Sequence, residues 1–225
     1  MIKAVIFDYG GTLAESGIPE KIVSEKSVER LLLEGIEIEA NDFHNAFFDT
    51  VEWRMTLHDE GKEIDSHGFY SHLVGIFGYE ISNDVSDELE MYLFESGEPE
   101  WLVNVEELLI KLSEDYKIAL LSNAWLEAPR QILRDKGWGR WFDVMVVSYD
   151  IGIPKPDPRI FQHTLNLLGV EAHEAVMVGD SIKADIKGAI NAGLEAVWVD
   201  NEGTGEWKGH TVETIAELPE LLKKI

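Results

Sequence analysis

A single carboxylate follows the first apolar run of the chain. Residues 2–7 are mostly apolar, and Asp8 comes directly after them, before Gly10 and Gly11. A short apolar run that ends in a turn signal is typical of a parallel strand buried on both faces. Because ligands bind just outside the carboxyl ends of such strands, Asp8 is a candidate nucleophile or metal ligand. On this stretch alone, an aspartate that caps a turn or a helix is the favoured interpretation.

Further side chains suited to phosphate chemistry follow at later points of the chain. Ser122 and Asn123 end an apolar run, and both can donate hydrogen bonds to a phosphoryl oxygen, although such a pair is also typical of a helix cap. Lys155 lies among three prolines, which would restrict its backbone. An ammonium held in this way can neutralise a transferring phosphoryl group and the carboxylate that attacks it. The alternative is an ordinary proline loop leading into a helix at Pro158.

The last group of this kind is acidic. Gly179 permits a close approach of the backbone, and Asp180 can bind a hard cation through oxygen. Asp185 follows in the next predicted helix, where it could bind the same cation or orient its ligands. Acidic residues at a helix start also complement the helix dipole. Each group has an ordinary structural explanation, but four of them in order at predicted strand ends favour one common site.

The elements that would position these residues alternate along most of the chain. Strands are predicted at residues 2–7, 117–121, 142–147, 175–178 and 196–199, and helices between and after them at 103–113, 128–136, 158–168, 182–192 and 215–223. This alternation predicts an α/β fold with a doubly wound parallel sheet and helices on both faces. Residues 201–209 are expected to form a surface loop.

The segment after the first strand has a different pattern. Four amphipathic helices are predicted there: from Pro19 to about residue 34, from caps at Asn41 and Asp42 to Gly61, from Asp65 or Ser66 to Phe77, and over about 84–94. We therefore expect two domains, an α/β core formed by 1–16 and 96–225 and an inserted α-helical domain formed by 17–95.

Composition limits the classes of partner. The 225 residues carry a formal net charge of −24 and contain no cysteine, which rules out disulfides and thiolate chemistry. Such a charge argues against nucleic-acid and membrane binding, and an anionic ligand would need an accompanying cation. With no signal-peptide pattern and no apolar run near the ~20 residues of a membrane span, we expect an intracellular, cytoplasmic protein. The sequence does not indicate an oligomeric state.

The four groups together resemble the ordered motifs of the haloacid dehalogenase-like (HAD) hydrolase superfamily. The resemblance covers about 1–16 and 98–225, and it is carried by Asp8-Tyr9-Gly10-Gly11-Thr12, Ser122-Asn123, Lys155-Pro156-Asp157-Pro158, and Gly179-Asp180 followed by Asp185. The fold it implies is a Rossmann-like core. The helical insertion is similar in place and size to the mobile helical cap of that superfamily.

The resemblance also implies roles for individual residues. Asp8 would be the nucleophile that forms an aspartyl-phosphate, and Ser122 and Lys155 would hold the phosphoryl group, with Gly11 and Asn123 also at the substrate. Mg²⁺ would lie between Asp8 and Asp180, with the backbone carbonyl of Gly10 as a further ligand and Asp185 behind them. The implied activity is Mg²⁺-dependent hydrolysis of a small phosphorylated metabolite.

One position departs from the superfamily pattern. Its phosphatases usually carry a second aspartate two residues after the nucleophile, where it protonates the leaving alcohol, and this chain has Gly10. Loss of a positioned acid/base typically costs about 10²–10⁴-fold, so we expect slow hydrolysis, a good leaving group or a replacement acid. A 2-haloacid dehalogenase, which needs neither that acid nor a metal, is the first alternative, with Arg30 and Arg54 as candidate substrate-binding arginines. A non-catalytic phosphate-binding or regulatory protein is the second.

Overall fold

The computed structural model describes residues 1–15, 21–94 and 99–225. The chain divides into two compact units, Met1–Gly17 with Pro99–Ile225, and Ile18–Glu98. Residues 16–20, which include the predicted helix start at Pro19, lie outside the described residues. We call the first unit the core unit and the second the helical unit.

The core unit is built on a six-stranded sheet. Its strands are β1 (Ala4–Phe7), β2 (Lys117–Ser122), β3 (Val144–Val147), β4 (Ala175–Gly179), β5 (Glu195–Val199) and β6 (His210–Val212). They lie in the order β3-β2-β1-β4-β5-β6, and each adjacent pair is parallel. The predicted doubly wound α/β fold is confirmed. In such a sheet the strand order reverses beside β1, and the crevice at that point is where ligands bind.

Helices follow the strands on both faces of the sheet. Those of the core unit are α5 (Val105–Ser113), α6 (Ala128–Asp135), α7 (Pro158–Leu168), α8 (Gly188–Asn191) and α9 (Leu218–Leu222). One apolar cluster packs Val5 and Phe7 of β1 against α5 and α9, and the other packs Ala4 and Ile6 against α7 and α8. All four residues of β1 are fully buried because apolar side chains cover both faces of the strand.

Two predictions in the core unit were wrong. β6 was missed, because its three residues, His210 to Val212, carry no periodicity of their own and are recognised as a strand only through pairing with β5. The predicted regular helix 182–192 begins as a π-helix, Ile182–Lys187, and becomes α-helical only at Gly188. A π-helical turn changes the direction of its side chains, which a 3.6-residue pattern does not reveal.

The described residues of the helical unit contain four helices and no strand. They are α1 (Lys21–Leu32), α2 (Ala40–Asp59), α3 (Ser66–Gly75) and α4 (Asn83–Phe94). Their common core is aromatic and aliphatic, with Phe43, Phe69 and Leu73 almost fully buried. α3 begins at Ser66, one of the two predicted starts, and the Asp65 side chain caps it by accepting a hydrogen bond from the Gly68 backbone. The predicted caps Asn41 and Asp42 lie inside α2 instead, since that helix already begins at Ala40. No helix in the described parts of either unit is long and apolar enough to cross a bilayer.

Gly188 supports the segment that carries Lys155. A Cβ atom at Gly188 would lie 2.9 Å from the Phe161 ring and 3.0 Å from the Pro156 backbone, closer than side chains pack. We predict that Gly188→Ala lowers the free energy of unfolding by about 1–3 kcal/mol through overpacking, measured by urea denaturation. Gly75→Ala, at the end of α3 where a Cβ meets open space, is the control and should be neutral or stabilising. Equal stability of the two variants would contradict this packing argument.

Candidate active site

The site begins at the carboxyl ends of β1 and β4, the two strands beside the reversal of strand order. Phe7 pairs with Val178, and the Asp8 backbone N–H donates to the Val178 carbonyl at 2.9 Å. Asp8 and Asp180 therefore follow the carboxyl ends of two neighbouring strands, at nearly the same height along the strand direction. Their carboxylates meet because parallel strands end at the same edge of a sheet.

Lys155 binds the Asp8 carboxylate directly. Its ammonium donates to Asp8 Oδ1 at 2.7 Å and to the Leu121 carbonyl at 2.6 Å, and it pairs with Asp185 Oδ1 at 2.7 Å. The residue is 2% exposed, so the charge is almost wholly removed from water. Burial lowers the pKa of Lys155, but the charges of Asp185 and Asp8 more than offset this and keep the ammonium protonated.

Asn123 contacts the backbone of Lys155. Its side-chain N–H donates to the Lys155 carbonyl at 2.9 Å, and its Oδ1 accepts from the Lys155 N–H at 2.7 Å. These two bonds join the end of β2 to the proline-rich segment, so the position of the lysine depends on an amide that follows a different strand. Contact of Asn123 with a phosphoryl group stays a prediction.

Three carboxylates lie close together beside the lysine. Asp8, Asp180 and Asp185 each present an oxygen within 4.8 Å of the other two. Both oxygens of Asp185 are engaged, Oδ1 by Lys155 and Oδ2 by the Ser181 backbone N–H at 3.0 Å. Asp185 is fully buried, whereas Asp8 and Asp180 are partly exposed. The carboxylates of Asp8 and Asp180 are therefore the more available for a ligand.

The electrostatics of Asp180 fit a cation site. Burial and the negative charge of Asp8 raise the pKa of Asp180 to about 6. Burial also raises the pKa of Asp185 above its usual range. Carboxylates crowded in this way repel one another, and a hard divalent cation such as Mg²⁺, which prefers oxygen ligands, would relieve the repulsion. The donor set therefore fits Mg²⁺.

Gly11 is required in the turn between Asp8 and the rest of the chain. Its φ is +68°, which favours glycine, and a Cβ atom there would lie 2.2 Å from Asp180 Oδ2. The missing side chain thus allows the Asp180 carboxylate to approach the backbone. Contact of Gly11 with substrate stays a prediction.

The remaining predicted site residues lie at the same edge of the sheet. Gly10 is partly buried and forms a backbone bridge with Ala14. Ser122 is the last residue of β2, two positions beyond the pair Phe7–Leu120, and it is 5% exposed. The phosphoryl-binding role of Ser122 and the carbonyl ligand at Gly10 stay predictions.

Two residues that sequence reasoning did not select also contact the site. The Trp198 indole N–H donates to the Asp180 carbonyl at 2.8 Å, and the Asn201 side chain donates to the Gly11 carbonyl at 2.6 Å. In the sequence pattern, Trp198 is an ordinary apolar residue of a predicted strand, and Asn201 is an ordinary residue of a predicted loop. Their proximity to the site depends on the pairing of β4 with β5.

Fold and site together define a doubly wound α/β protein with a carboxylate-rich centre at the carboxyl ends of its strands. A family model for haloacid dehalogenase-like hydrolases matches residues 2–193, so the chain belongs to this family, and the resemblance seen in the motifs is confirmed. The chain is 35% identical over 128 residues to human N-acylneuraminate-9-phosphatase, a match that covers 54% of this chain and 52% of that protein. It thus spans about half the length of this curated relative.

Longer matches have lower identity. The glyceraldehyde 3-phosphate phosphatase of Methanothermobacter thermautotrophicus is 27% identical over 235 residues, which cover 99% of this chain and 100% of that protein. A HAD phosphatase structure from Thermococcus onnurineus has a TM-score of 0.73 at 26% identity, with 98% of both chains covered. A 2-haloacid dehalogenase structure from Pseudomonas syringae has a TM-score of 0.74 at 24% identity, covering 100% of this chain and 99% of that one, and it shows the shared fold.

The raised pKa of Asp180 predicts a pH-dependent effect of its charge on stability. Since that pKa lies near 6, the folded protein binds more protons than the unfolded chain between about pH 4 and 6, and stability falls as pH rises through this window. Asp180→Asn removes the charge, so we expect its Tm in metal-free buffer at about pH 7 to exceed that of the wild type by about 2–4 °C, or about 1 kcal/mol. The difference should vanish near pH 4, and a pH-independent difference in calorimetric scans would contradict the assignment.

Proposed function

We propose that this protein is a Mg²⁺-dependent phosphatase that hydrolyses a small phosphorylated metabolite through an aspartyl-phosphate on Asp8. The observation that carries the proposal is the 2.7 Å contact between the Lys155 ammonium and Asp8, beside carboxylates that lie within 4.8 Å of one another. An attacking carboxylate, a fixed ammonium and a cation site are the parts that phosphoryl transfer requires. The phosphatase names of the relatives support the same substrate class.

The first step joins an Asp8 carboxylate oxygen to phosphorus as the bond between phosphorus and the ester oxygen breaks. The electron pair of that bond stays on the leaving oxygen, which takes a proton from solvent. In the second step a water oxygen attacks phosphorus, a proton of that water passes to solvent, the bond between phosphorus and the Asp8 oxygen breaks, and the carboxylate and inorganic phosphate are released. Asp8 and Asp180 would hold Mg²⁺, whose positive charge would reduce repulsion between the phosphoryl group and the carboxylate.

Lys155 has two tasks in this proposal. Its ammonium holds Asp8 in one orientation and lowers the electrostatic cost of bringing a phosphate dianion towards the carboxylate. Ser122, Gly11 and Asn123 bind phosphoryl oxygens in the same proposal, at the edge of the sheet where β1 and β2 end. Asp185 keeps the ammonium in place and does not touch the substrate.

The leaving group must obtain its proton without a side chain at Gly10. The neighbouring Tyr9 is a poor proton donor, since burial raises the pKa of its phenol well above the ordinary value. We therefore propose slow turnover of alkyl phosphates and faster turnover of phosphates whose leaving oxygens need no protonation. This follows from the general dependence of such reactions on an acid when the leaving group is basic.

The helical unit is proposed to act as a cap and to set substrate selectivity. It lies in sequence between β1 and α5, as an insertion into the core unit. The net charge of −24 favours a small phosphate accompanied by a cation over a nucleic acid. A cytoplasmic location is part of the same proposal.

Replacement of the proposed nucleophile tests the reaction type. Asp8→Asn keeps the shape of the side chain but removes the attacking charge, so we predict that Mg²⁺-dependent hydrolysis of p-nitrophenyl phosphate falls at least about 10³-fold. Asp135→Asn, at the exposed end of α6, is the control and should retain full activity.

Three other outcomes would contradict the proposal. Equal phosphatase activity of Asp8→Asn and wild type would exclude Asp8 as nucleophile. Halide release from 2-haloacids without metal would favour a dehalogenase, and ligand-dependent thermal stabilisation without turnover across a broad panel of phosphates would favour a non-catalytic phosphate-binding protein.

A second variant tests the absence of an acid at Gly10. The backbone of Gly10, unlike that of Gly11, is not left-handed, so an aspartate can be introduced there without that strain. We predict that Gly10→Asp raises kcat for alkyl phosphates by about 10²-fold and has little effect on p-nitrophenyl phosphate, whose leaving oxygen needs no proton. An unchanged ratio between the two substrate classes, in a variant with wild-type Tm, would mean that another group already supplies the proton.

A further inference from the structure

We propose that Trp198 and Asn201, at the carboxyl end of β5, are positioning residues. They hold the backbone on two sides of the proposed Mg²⁺ site and do not bind the metal themselves. Trp198 fixes the backbone that carries Asp180, and Asn201 fixes the Gly11 turn that packs against the Asp180 carboxylate. The inference rests on the proposed function insofar as the site holds a cation. Neither residue touches the substrate or the reacting atoms in this proposal.

Trp198 is placed beside Asp180 by strand register. Gly179 and Trp198 are partners in the pairing of β4 with β5, and the indole N–H reaches the Asp180 carbonyl at 2.8 Å. The side chain is 5% exposed and packs in the apolar cluster on the α7 face. A buried ring with few rotamers gives this hydrogen bond a fixed direction, so it restrains the peptide immediately after the Asp180 side chain.

Asn201 reaches the other side of the site. Its Nδ2 donates to the Gly11 carbonyl at 2.6 Å, a contact across 190 positions of sequence. The asparagine is exposed, but its backbone is anchored by Asp200, whose carboxylate accepts from the Thr204 N–H at 2.9 Å and the Gly205 N–H at 2.8 Å. The Asp200 N–H in turn donates to Val212 of β6 at 2.9 Å. Asn201 therefore projects from an ordered turn.

The two restrained backbones are in contact with each other. A Cβ atom at Gly11 would lie 2.2 Å from Asp180 Oδ2, so any rotation of the Gly11 turn changes the space available to that carboxylate. Each hydrogen bond also supplies a donor to a backbone carbonyl oxygen beside the carboxylates. Partners of this kind, which orient metal ligands without binding the metal, commonly affect affinity by about 10–100-fold.

The experiment measures Mg²⁺ binding by titration calorimetry on the full chain, together with hydrolysis of p-nitrophenyl phosphate. Trp198→Phe removes the indole N–H and keeps an aromatic ring, and Asn201→Asp replaces the donating N–H by oxygen with no change in shape. We expect each variant to weaken Mg²⁺ binding by about 10-fold. A weaker affinity in Asn201→Asp would be informative because its added negative charge alone would strengthen cation binding.

Matched controls separate positioning from general destabilisation. Trp138→Phe changes a tryptophan of equal burial in the opposite apolar cluster, and Asn166→Asp changes an exposed asparagine of α7. Both controls should bind Mg²⁺ like the wild type. If Trp198→Phe fails to fold, Asn201→Asp, at the surface, still decides the question through its own affinity and Tm.

The outcomes distinguish this inference from the proposed function. Wild-type Mg²⁺ affinity in both variants, whatever their stability, would overturn the positioning role while leaving the phosphatase proposal intact. Weaker Mg²⁺ binding in both variants, in a protein that hydrolyses no phosphate, would support the positioning role and overturn the function. A wild type that binds no Mg²⁺ would overturn both.

Discussion

The structure depends most on the buried ammonium of Lys155. Removing an ammonium from water is costly unless oxygen atoms surround it, and here the oxygens come from the end of β1, the end of β2 and the π-helix after β4. Three segments that are distant in sequence must therefore come together before the charge is compensated. The lysine thus links the correct folding of the sheet to the assembly of the candidate site.

The same edge of the sheet collects more negative than positive charge. Asp8, Asp180 and Asp185 converge there, whereas Lys155 is the cation that contacts two of them. Burial first, and then the negative charge of Asp8, raise the pKa of Asp180 to about 6, so both desolvation and this excess of negative charge disfavour its ionised form. A site that is unfavourable when empty and balanced when it holds a cation is what metal-assisted phosphoryl transfer would use.

Much of the fold could be predicted because its signals are local. Local sequence signals mark the apolar runs of β1, β2 and β4, the proline at the start of α7 and the start of α3 next to Asp65. The structure has these elements within a few residues of the predicted bounds. The π-helix was not predictable, because the apolar pattern of Ile182–Lys187 is compatible with an ordinary α-helix. The two hydrogen bonds between the Asn123 side chain and the Lys155 backbone were not predicted either, because they join residues 32 positions apart that only the tertiary fold brings together.

The sequence by itself determined the class of the protein and the residues with chemical potential. Strand-end motifs in a fixed order resemble those of the HAD-like family, and the family model confirms that resemblance. Only the tertiary structure decided which side chains touch. Hydrogen bonds from Trp198 to Asp180 and from Asn201 to Gly11 depend on strand order and register, and these are set by pairing between segments that no local pattern relates to one another.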